Sequence, residues 1–390
     1  MKRFLKILGL LVMAAVAVEG YGRYGLKLKP GLQENRMAEM VASFVEHDPR
    51  LGLRYRLNID QLIDAPSNDF SILFKTNEIG LRDRPLGTHL RQELKFLVFG
   101  DEFAEGWGAD IDQTVVVRAQ NLVNEKTALE PPVRFVIAGK SSYGAAQNYL
   151  AAEALIAALK PTAIVFFYSS LMPHTDALFL RDASLKDGLA TGLRAEVTPT
   201  VRIPHLEDYP PPAPAWLAQL AKQSVAARLL AEWMALRSAH AALTVGDPLT
   251  DRLAGIRSGI DLKAVHEPSL RHVRGLAALA ARHQLPFLLV HLPLPPQVTA
   301  DAWESGRTLF KISAGVLPTE DVAVVEDFCR EAKLRCLKLH SVLQEAAAKT
   351  PDIRLFYPAE LALTSEGASV VGQWFAAEIY RWLGEFGLRR

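Results

Sequence analysis

Most of the features that would betray a function are scarce in this chain. Only two cysteines, Cys329 and Cys336, occur among 390 residues. That is too few for a disulfide framework and matches no thiolate metal spacing, so both read as buried thiols. No excess of charge of one sign exists either: 44 Lys and Arg face 43 Asp and Glu, a formal net charge of +1. No bulk field therefore recruits nucleic acid or an anionic surface. A phosphate-cradling Gly loop, a basic patch interleaved with aromatics and a recognisable metal-ligand spacing are all missing, so no cofactor, metal or nucleic-acid partner is expected. Nor does the sequence reach the ~20 uninterrupted apolar residues of an ordinary spanning helix. What is abundant is core material. Apolar residues make up 49% of the chain, which excludes a disordered tail and allows one large domain with additions, or two.

The N-terminus carries the clearest compartment signal. Lys2, Arg3 and Lys6 lead into an apolar run, Ile7 to Val18, with a small-x-small pattern at Ala15-Val16-Ala17 that fits signal cleavage. The helical pattern nevertheless continues through Glu19, Gly20, Tyr21 and Tyr24. Residues 1–25 are accordingly read as an uncleaved membrane anchor in preference to a signal peptide or an ordinary buried helix, with Lys6 and Arg23 snorkelling to headgroups. Basic residues flank the run on both sides, so charge bias does not orient it. Export of the remainder is the expectation.

Residues 26–92 form a lead-in of short strand-like runs and turns. From Leu94 strands and helices alternate, which predicts a parallel sheet covered on both faces. Strands are expected at Leu94–Phe99, Val133–Ala138, Ala163–Tyr168, Phe287–Leu292 and Arg335–Leu339. Helices are expected at Thr114–Glu125, Ala145–Leu159, Leu270–His283, Asp321–Lys333 and Glu366–Leu383. An insertion of about 177–266 breaks this rhythm with a proline cluster, Tyr209 to Pro214, and an apolar helix from Trp216 to Leu243. Its Trp216, Leu220, Leu229, Trp233 and Leu236 are expected to pack against the main domain.

The first strand runs into Gly100-Asp101-Glu102-Phe103-Ala104-Glu105-Gly106-Trp107-Gly108, a small-residue turn at the carboxyl end of a parallel strand, where doubly wound sheets place their chemistry. This block resembles the first block of the SGNH (GDSL-type) hydrolases, in which a strand ends in Gly-Asp-Ser-Phe. Ala138-Gly139-Lys140-Ser141-Ser142-Tyr143-Gly144-Ala145-Ala146-Gln147 resembles the second block, and Tyr357-Pro358-Ala359-Glu360-Leu361-Ala362-Leu363-Thr364 the last. His47 to Gly52 and Thr76 to Asp83 resemble the lead-in of membrane-anchored bacterial members. The resemblance covers Leu94 to Leu383 without the insertion and implies a three-layer α/β/α fold over residues 93–390.

It also implies a catalytic set that this sequence does not supply. Acyl transfer needs a hydroxyl nucleophile, an imidazole, an orienting carboxylate and oxyanion donors. Glu102 stands in the place of the serine. Ser142 replaces the oxyanion glycine, and Ser170 or Leu171 the asparagine donor. Ala359 and Ala362 replace the aspartate and histidine. Loss of nucleophile or histidine alone costs roughly 10⁶ in turnover, and a carboxylate does not restore it. The expectation is a degenerate hydrolase in which an ionised Glu102, steadied by backbone N–H groups, fills the oxyanion pocket in place of a bound anion. The cleft would be lined by Asp101, Glu102, Ser142, Gly144, Ser170 and His174, with Asp101 hydrogen-bonding the turn.

Other residues offer fallback chemistry. His174 and Asp176 follow the third strand and would serve as an improvised base and orienter or as two metal ligands. His205, Glu207 and Asp208 read as a solvated loop and His291 as a satisfied core histidine. Lys140-Ser141-Ser142 suggests a Ser/Lys nucleophile pair only weakly, because adjacent side chains diverge. The function expected is a binding or assembly role in cell-envelope or exopolysaccharide machinery, with a glycan or partner protein in the old cleft and the main domain outside the cytoplasm, anchored to the inner membrane. The alternatives are an active carbohydrate O-esterase or acyltransferase using relocated groups, and a structural subunit of a membrane complex.

Overall fold

The computed structural model describes residues 2–30, 40, 42–65, 67, 69–87, 93–127, 129–194, 214–242, 261–303, 315–317, 319–350, 352–358 and 360–385. Its centre is a five-stranded sheet of β5 (Leu94–Phe99), β6 (Val133–Ile137), β7 (Ala163–Ser169), β10 (Phe287–Leu292) and β11 (Arg335–Lys338), in the order β11-β10-β7-β5-β6. Every pairing is parallel. The chain moves from β5 outward to β6 and then back across to β7, so the topological switch point lies beside the carboxyl end of β5.

The strands are apolar on both faces because both faces are covered. Phe96, Val98, Phe135, Ile137, Val165 and Phe167 point to one side, where α3 (Val115–Thr127), α10 (His340–Lys349) and α11 (Ser365–Glu385) pack. Leu97, Phe99, Val136, Ile164, Phe166 and Leu289 point to the other, under α4 (Ala145–Leu159), α8 (Leu262–Arg282) and α9 (Glu320–Glu331). The period-two alternation thus divides one run of hydrophobic residues between two cores. The fold is the expected three-layer α/β/α arrangement.

The lead-in makes two antiparallel hairpins, β1 (Val45–Asp48) with β2 (Gly52–Tyr55) and β3 (Asp60–Asp64) with β4 (Ser71–Lys75). Their inner residues form a separate aromatic cluster with Tyr143 and Trp107, which seats them on the loops of the sheet edge. After β7 come α5 (Met172–Leu180) and a hairpin, β8 (Ala183–Lys186) with β9 (Leu189–Leu193). His205, Glu207 and Asp208 lie outside the described residues.

Three expectations need correcting. Cys329 and Cys336 are a disulfide, not two thiols: the end of α9 and the start of β11 bring them together across a tight helix-to-strand connection. The apolar helix of the insertion is two helices, α6 (Ala215–Ala221) and α7 (Val225–Ala242), because Ser224 accepts the Ala227 amide at 3.1 Å and restarts the helix. Nor does that pair hide its apolar residues: Trp216 is 62% exposed, Leu220 54% and Trp233 52%. At the N-terminus α1 covers Lys2–Gly20 and gives way to a π-helical turn at Tyr21–Gly25. Among the described residues, no helix is long and apolar enough to cross a membrane.

Candidate functional site

Three turns converge on the carboxyl edge of the sheet, and glycine backbones let them touch. A Cβ on Gly139 would lie 2.8 Å from the Gly100 nitrogen, and one on Gly100, at φ +149°, would lie 2.6 Å from the Ala104 Cβ. Asn148 spans the two turns, accepting the Gly100 amide at 3.2 Å and donating to the carbonyls of Gly100 and Gly144 at 3.1 and 2.8 Å. The third turn reaches in through Tyr357, whose hydroxyl donates to the Gly108 carbonyl at 2.8 Å. Loop closure of this kind is made by backbone, amide and phenol hydroxyl groups alone.

Asp101 caps the short helix α2 (Glu102–Glu105), accepting from the Phe103 amide at 3.1 Å and from the Ser169 hydroxyl. Burial nevertheless pushes its carboxyl up to about 6. Glu102, at the start of this helix, is 7% exposed. Its Oε1 has no hydrogen-bond partner among the described residues. Burial and then the neighbouring Asp101 carboxyl drive its pKa well above the usual carboxylate range, with Glu105 and Glu360 adding to the repulsion and only its own amide opposing it. Burial of this kind favours the protonated form and works against the ionised carboxylate expected from the sequence. Desolvation outweighs what one amide and a single-turn helix can return. Glu102 does stay buried, as a group filling a pocket must.

Beside it stands a residue that sequence reasoning passed over. Glu105 is fully buried, and its Oε2 accepts from the Ser141 amide at 2.7 Å and from the Ser141 hydroxyl. Glu105 thus takes the hydroxyl that a Ser/Lys pair would have used. Lys140 lies instead against the rings of Tyr55 and Tyr143, 5.1 and 5.5 Å from their centroids, and burial lowers its amine to about 8. Ser142 is half-buried at φ +67°. That left-handed conformation suits the glycine it replaces.

The loop carrying Glu102 is pinned from below by the lead-in. Asn77 accepts the amides of Ile79 and Leu81 at 3.2 and 3.0 Å in a turn closed by Gly80 at φ +75°. This delivers Arg82, fully buried, to the carbonyls of Glu105 and Gly106, both at 2.9 Å, and of Ala109. Asp83 accepts the Ile137 amide at 3.0 Å and pairs with Arg134 at 3.3 Å. An Arg-Asp pair following a turn signal marked these positions; nothing local revealed what they hold.

Gly144 and Asp176 meet. The Asp176 carboxylate accepts the amides of Ala145 and Ala146 at 3.1 and 2.9 Å and so caps α4 from a neighbouring helix. A Cβ on Gly144 would sit 2.1 Å from its Oδ1. Both oxygens of Asp176 are thereby engaged by backbone. His174, on the same helix α5, is 1% exposed. No group of three or more His, Cys, Asp or Glu arranged for a metal ion occurs among the described residues.

In the last block Ala362 is buried and its carbonyl accepts the Tyr357 amide at 3.0 Å. Ala359 lies outside the described residues. Between them Glu360 accepts from Ser67 at 2.8 Å, and burial raises its carboxyl to about 7. Glu360 is close enough to repel Glu102, so the first and last blocks do face each other.

One strand away from this emptied loop is a polar cluster that no motif announced. Ser170 Oγ lies 3.2 Å from His291 Nε2 and donates to Asp321 Oδ2, while Gln297 Nε2 donates to Asp321 Oδ1 at 2.7 Å. All four residues are at most 2% exposed. The carboxylate of Asp321 thus meets the serine hydroxyl directly, and the imidazole meets the serine from another side. Such an order differs from a triad, in which the imidazole lies between serine and carboxylate. His291 also borders a cavity of about 260 Å³ walled by Val325, Cys329, Cys336 and Leu337.

No family model matches the chain, and no curated protein matches it. Solved structures do. A carbohydrate acetylesterase family member from Sinorhizobium meliloti is 12% identical over 74% of this chain and 99% of its own, with a TM-score of 0.37. A lipase/acylhydrolase from Enterococcus faecalis is 13% identical over 73% and 95%, at 0.35. A GDSL-like lipase from Bacteroides thetaiotaomicron is 10% identical over 74% and 89%, also at 0.35.

Proposed function

We infer that this chain, built on the fold of the SGNH (GDSL-type) hydrolases, is a degenerate member that binds or assembles and does not turn over esters. The observation that carries the reading is Glu102: a buried carboxyl, its pKa driven well above the usual range by burial, where the reaction needs a hydroxyl, facing a last block whose histidine position is the buried Ala362. A carboxyl is a poor nucleophile toward an ester, and the groups that press on it are other carboxyls, Asp101, Glu105 and Glu360. The turns that framed the site remain closed by Asn148, Tyr357 and Arg82. A fold that preserves its cradle while losing its chemistry is suited to holding a ligand.

The ligand proposed is a glycan, with an envelope protein as the other candidate. The compartment proposed is extracytoplasmic. The Cys329–Cys336 disulfide and the basic-then-apolar N-terminus favour that assignment, because disulfides persist in oxidising compartments. The test is a pair of assays on the purified full chain. Acetylated xylan and p-nitrophenyl acetate are expected to give no turnover above buffer. An oligosaccharide array is expected to give saturable binding that Ser142→Trp removes while the variant stays folded by circular dichroism. Turnover, or binding indifferent to Ser142→Trp, would overturn the proposal.

A second reading has one observation in its favour. Ser170, His291 and Asp321 place a hydroxyl, an imidazole and a carboxylate in mutual contact, and an ester hydrolase with relocated groups would need those three. The burial of Ser170 and its place between the other two groups weigh against it. Turnover abolished by Ser170→Ala and by His291→Gln would establish it.

A further inference from the structure

The insertion helices α6 and α7 are tied to the N-terminal helix by specific contacts. Glu19, at the end of α1, accepts from the Ser224 hydroxyl and the Ala226 amide at 2.8 and 2.9 Å, capping α7. Arg23 donates to the Gln223 carbonyl and pairs with Glu19 at 2.5 Å. Gly22 fits there because a Cβ would lie 2.7 Å from Val225 Cγ1. Farther along, Arg228 donates to the Lys29 carbonyl at 2.7 Å. The base of α1 is therefore locked to the junction of α6 and α7.

Beyond that lock the surface is unusually apolar for contact with water. Every residue from Val12 to Val18 is exposed, with Met13 at 68% and Val16 at 67%. Exposure runs around the whole helix, not along one stripe. A partner helix covers one side of such a rod, whereas hydrocarbon covers all of it. The helix pair at its base adds Trp216, Leu220, Leu230 and Trp233, each at least 46% exposed, opposite a small core of Leu217, Ala221 and Ala231. Tyr21 and Tyr24 flank them at 67% and 85% exposed. Amphipathic rings at the foot of an apolar rod are the chemistry of a bilayer interface. Lys27 and Lys222, both exposed at the same foot, suit an anionic headgroup layer.

We propose that α1, α6 and α7 form one membrane-facing platform: α1 enters the acyl region, and Trp216 and Trp233 of the insertion seat at the headgroup level of an anionic bilayer. The insertion is then a membrane foot that fixes how the α/β domain stands on the surface. This rests on the anchored-envelope reading above and adds to it a role for the insertion.

The test uses the full chain and vesicles of phosphatidylcholine with phosphatidylglycerol, some carrying brominated acyl chains. Flotation reports whether the chain binds; tryptophan emission reports which part does. The platform predicts that the chain floats with vesicles and that its emission shifts blue and is quenched by the brominated lipid. Trp216→Phe with Trp233→Phe should remove that response and leave flotation intact. Trp216→Glu with Trp233→Glu should weaken partitioning by about tenfold or more. Flotation without quenching of Trp216 and Trp233 would overturn the platform and leave α1 as a lone anchor. Failure of the chain to float would overturn both. Flotation only when another membrane protein is present in the vesicles would assign the apolar surface to a protein partner and likewise overturn the proposal.

Discussion

Two neighbouring loops at the same sheet edge have met opposite fates. The turn after β5 holds its backbone geometry through Arg82, Asn148 and Tyr357 but carries Glu102, a buried acid with an oxygen unpartnered among the described residues. The turn after β7 holds a serine, an imidazole and a carboxylate in contact, yet the serine, not the imidazole, lies between the other two and all three are buried. The comparison teaches that reactive residue types and a reactive arrangement are separate properties. The first loop has the place without the groups; the second has the groups without the order or the access.

That contrast can be broken at several points. The largest effect is expected from Arg82→Met, which strips a buried cation from three carbonyls under the first loop. The loss should be about 3–5 kcal/mol by denaturant unfolding, since buried acceptors and Glu105 are left uncompensated. A loss below about 1 kcal/mol would mean that the loop does not depend on the lead-in. Next is Asp176→Ala, expected to cost about 2 kcal/mol by uncapping α4. Asp176→Asn should recover part of that cost, whereas a metal-ligand or catalytic role would show instead as unchanged stability.

The acid cluster gives a pH signature. Asp101 at about 6, Glu360 at about 7 and Glu102 above its usual range all bind protons more tightly in the folded chain than in the unfolded one. Their contribution is full below about pH 4 and fades as pH rises through 6 to 7, where the unfolded chain has already released those protons. Glu102→Gln should therefore gain on the parent chain as pH rises above about 4, where the unfolded chain's carboxyl ionises. A constant difference across that range would show that Glu102 is ionised in the native state. The smallest effect is expected at Ser142. Ser142→Gly should stabilise the chain by about 0.5–1 kcal/mol by relieving the left-handed backbone, unless the serine hydroxyl has acquired a role in binding.

The sequence made the frame legible because a frame is written locally. Apolar strands such as Phe96 to Phe99, glycine turns at 100 and 139 and amphipathic helices each carry their own period. The proposed replacement of a nucleophile by Glu102 and of a histidine by Ala362 rests on position within the resembling blocks alone. The chemistry of Glu102 could not, because its proton affinity depends on burial and on Asp101 and Glu360, groups assembled only by the fold. Ser170 and Asp321 are 151 residues apart; their meeting follows from the order β7, β10 and the approach of α9, not from any spacing. The disulfide was missed for a similar reason: a separation of seven reads as neither staple nor metal site until a helix and a strand fold back on each other. Arg82 and Glu105 stood in plain view as charged residues near turns, the kind of residue usually solvated.

The central claim, a hydrolase cradle without hydrolysis, is tested most directly by treating the full-length chain with a fluorophosphonate that labels activated serines and measuring adduct mass. The account predicts an unmodified protein under conditions that fully label an active GDSL-type esterase. Stoichiometric modification of Ser170, abolished by His291→Gln, would contradict it.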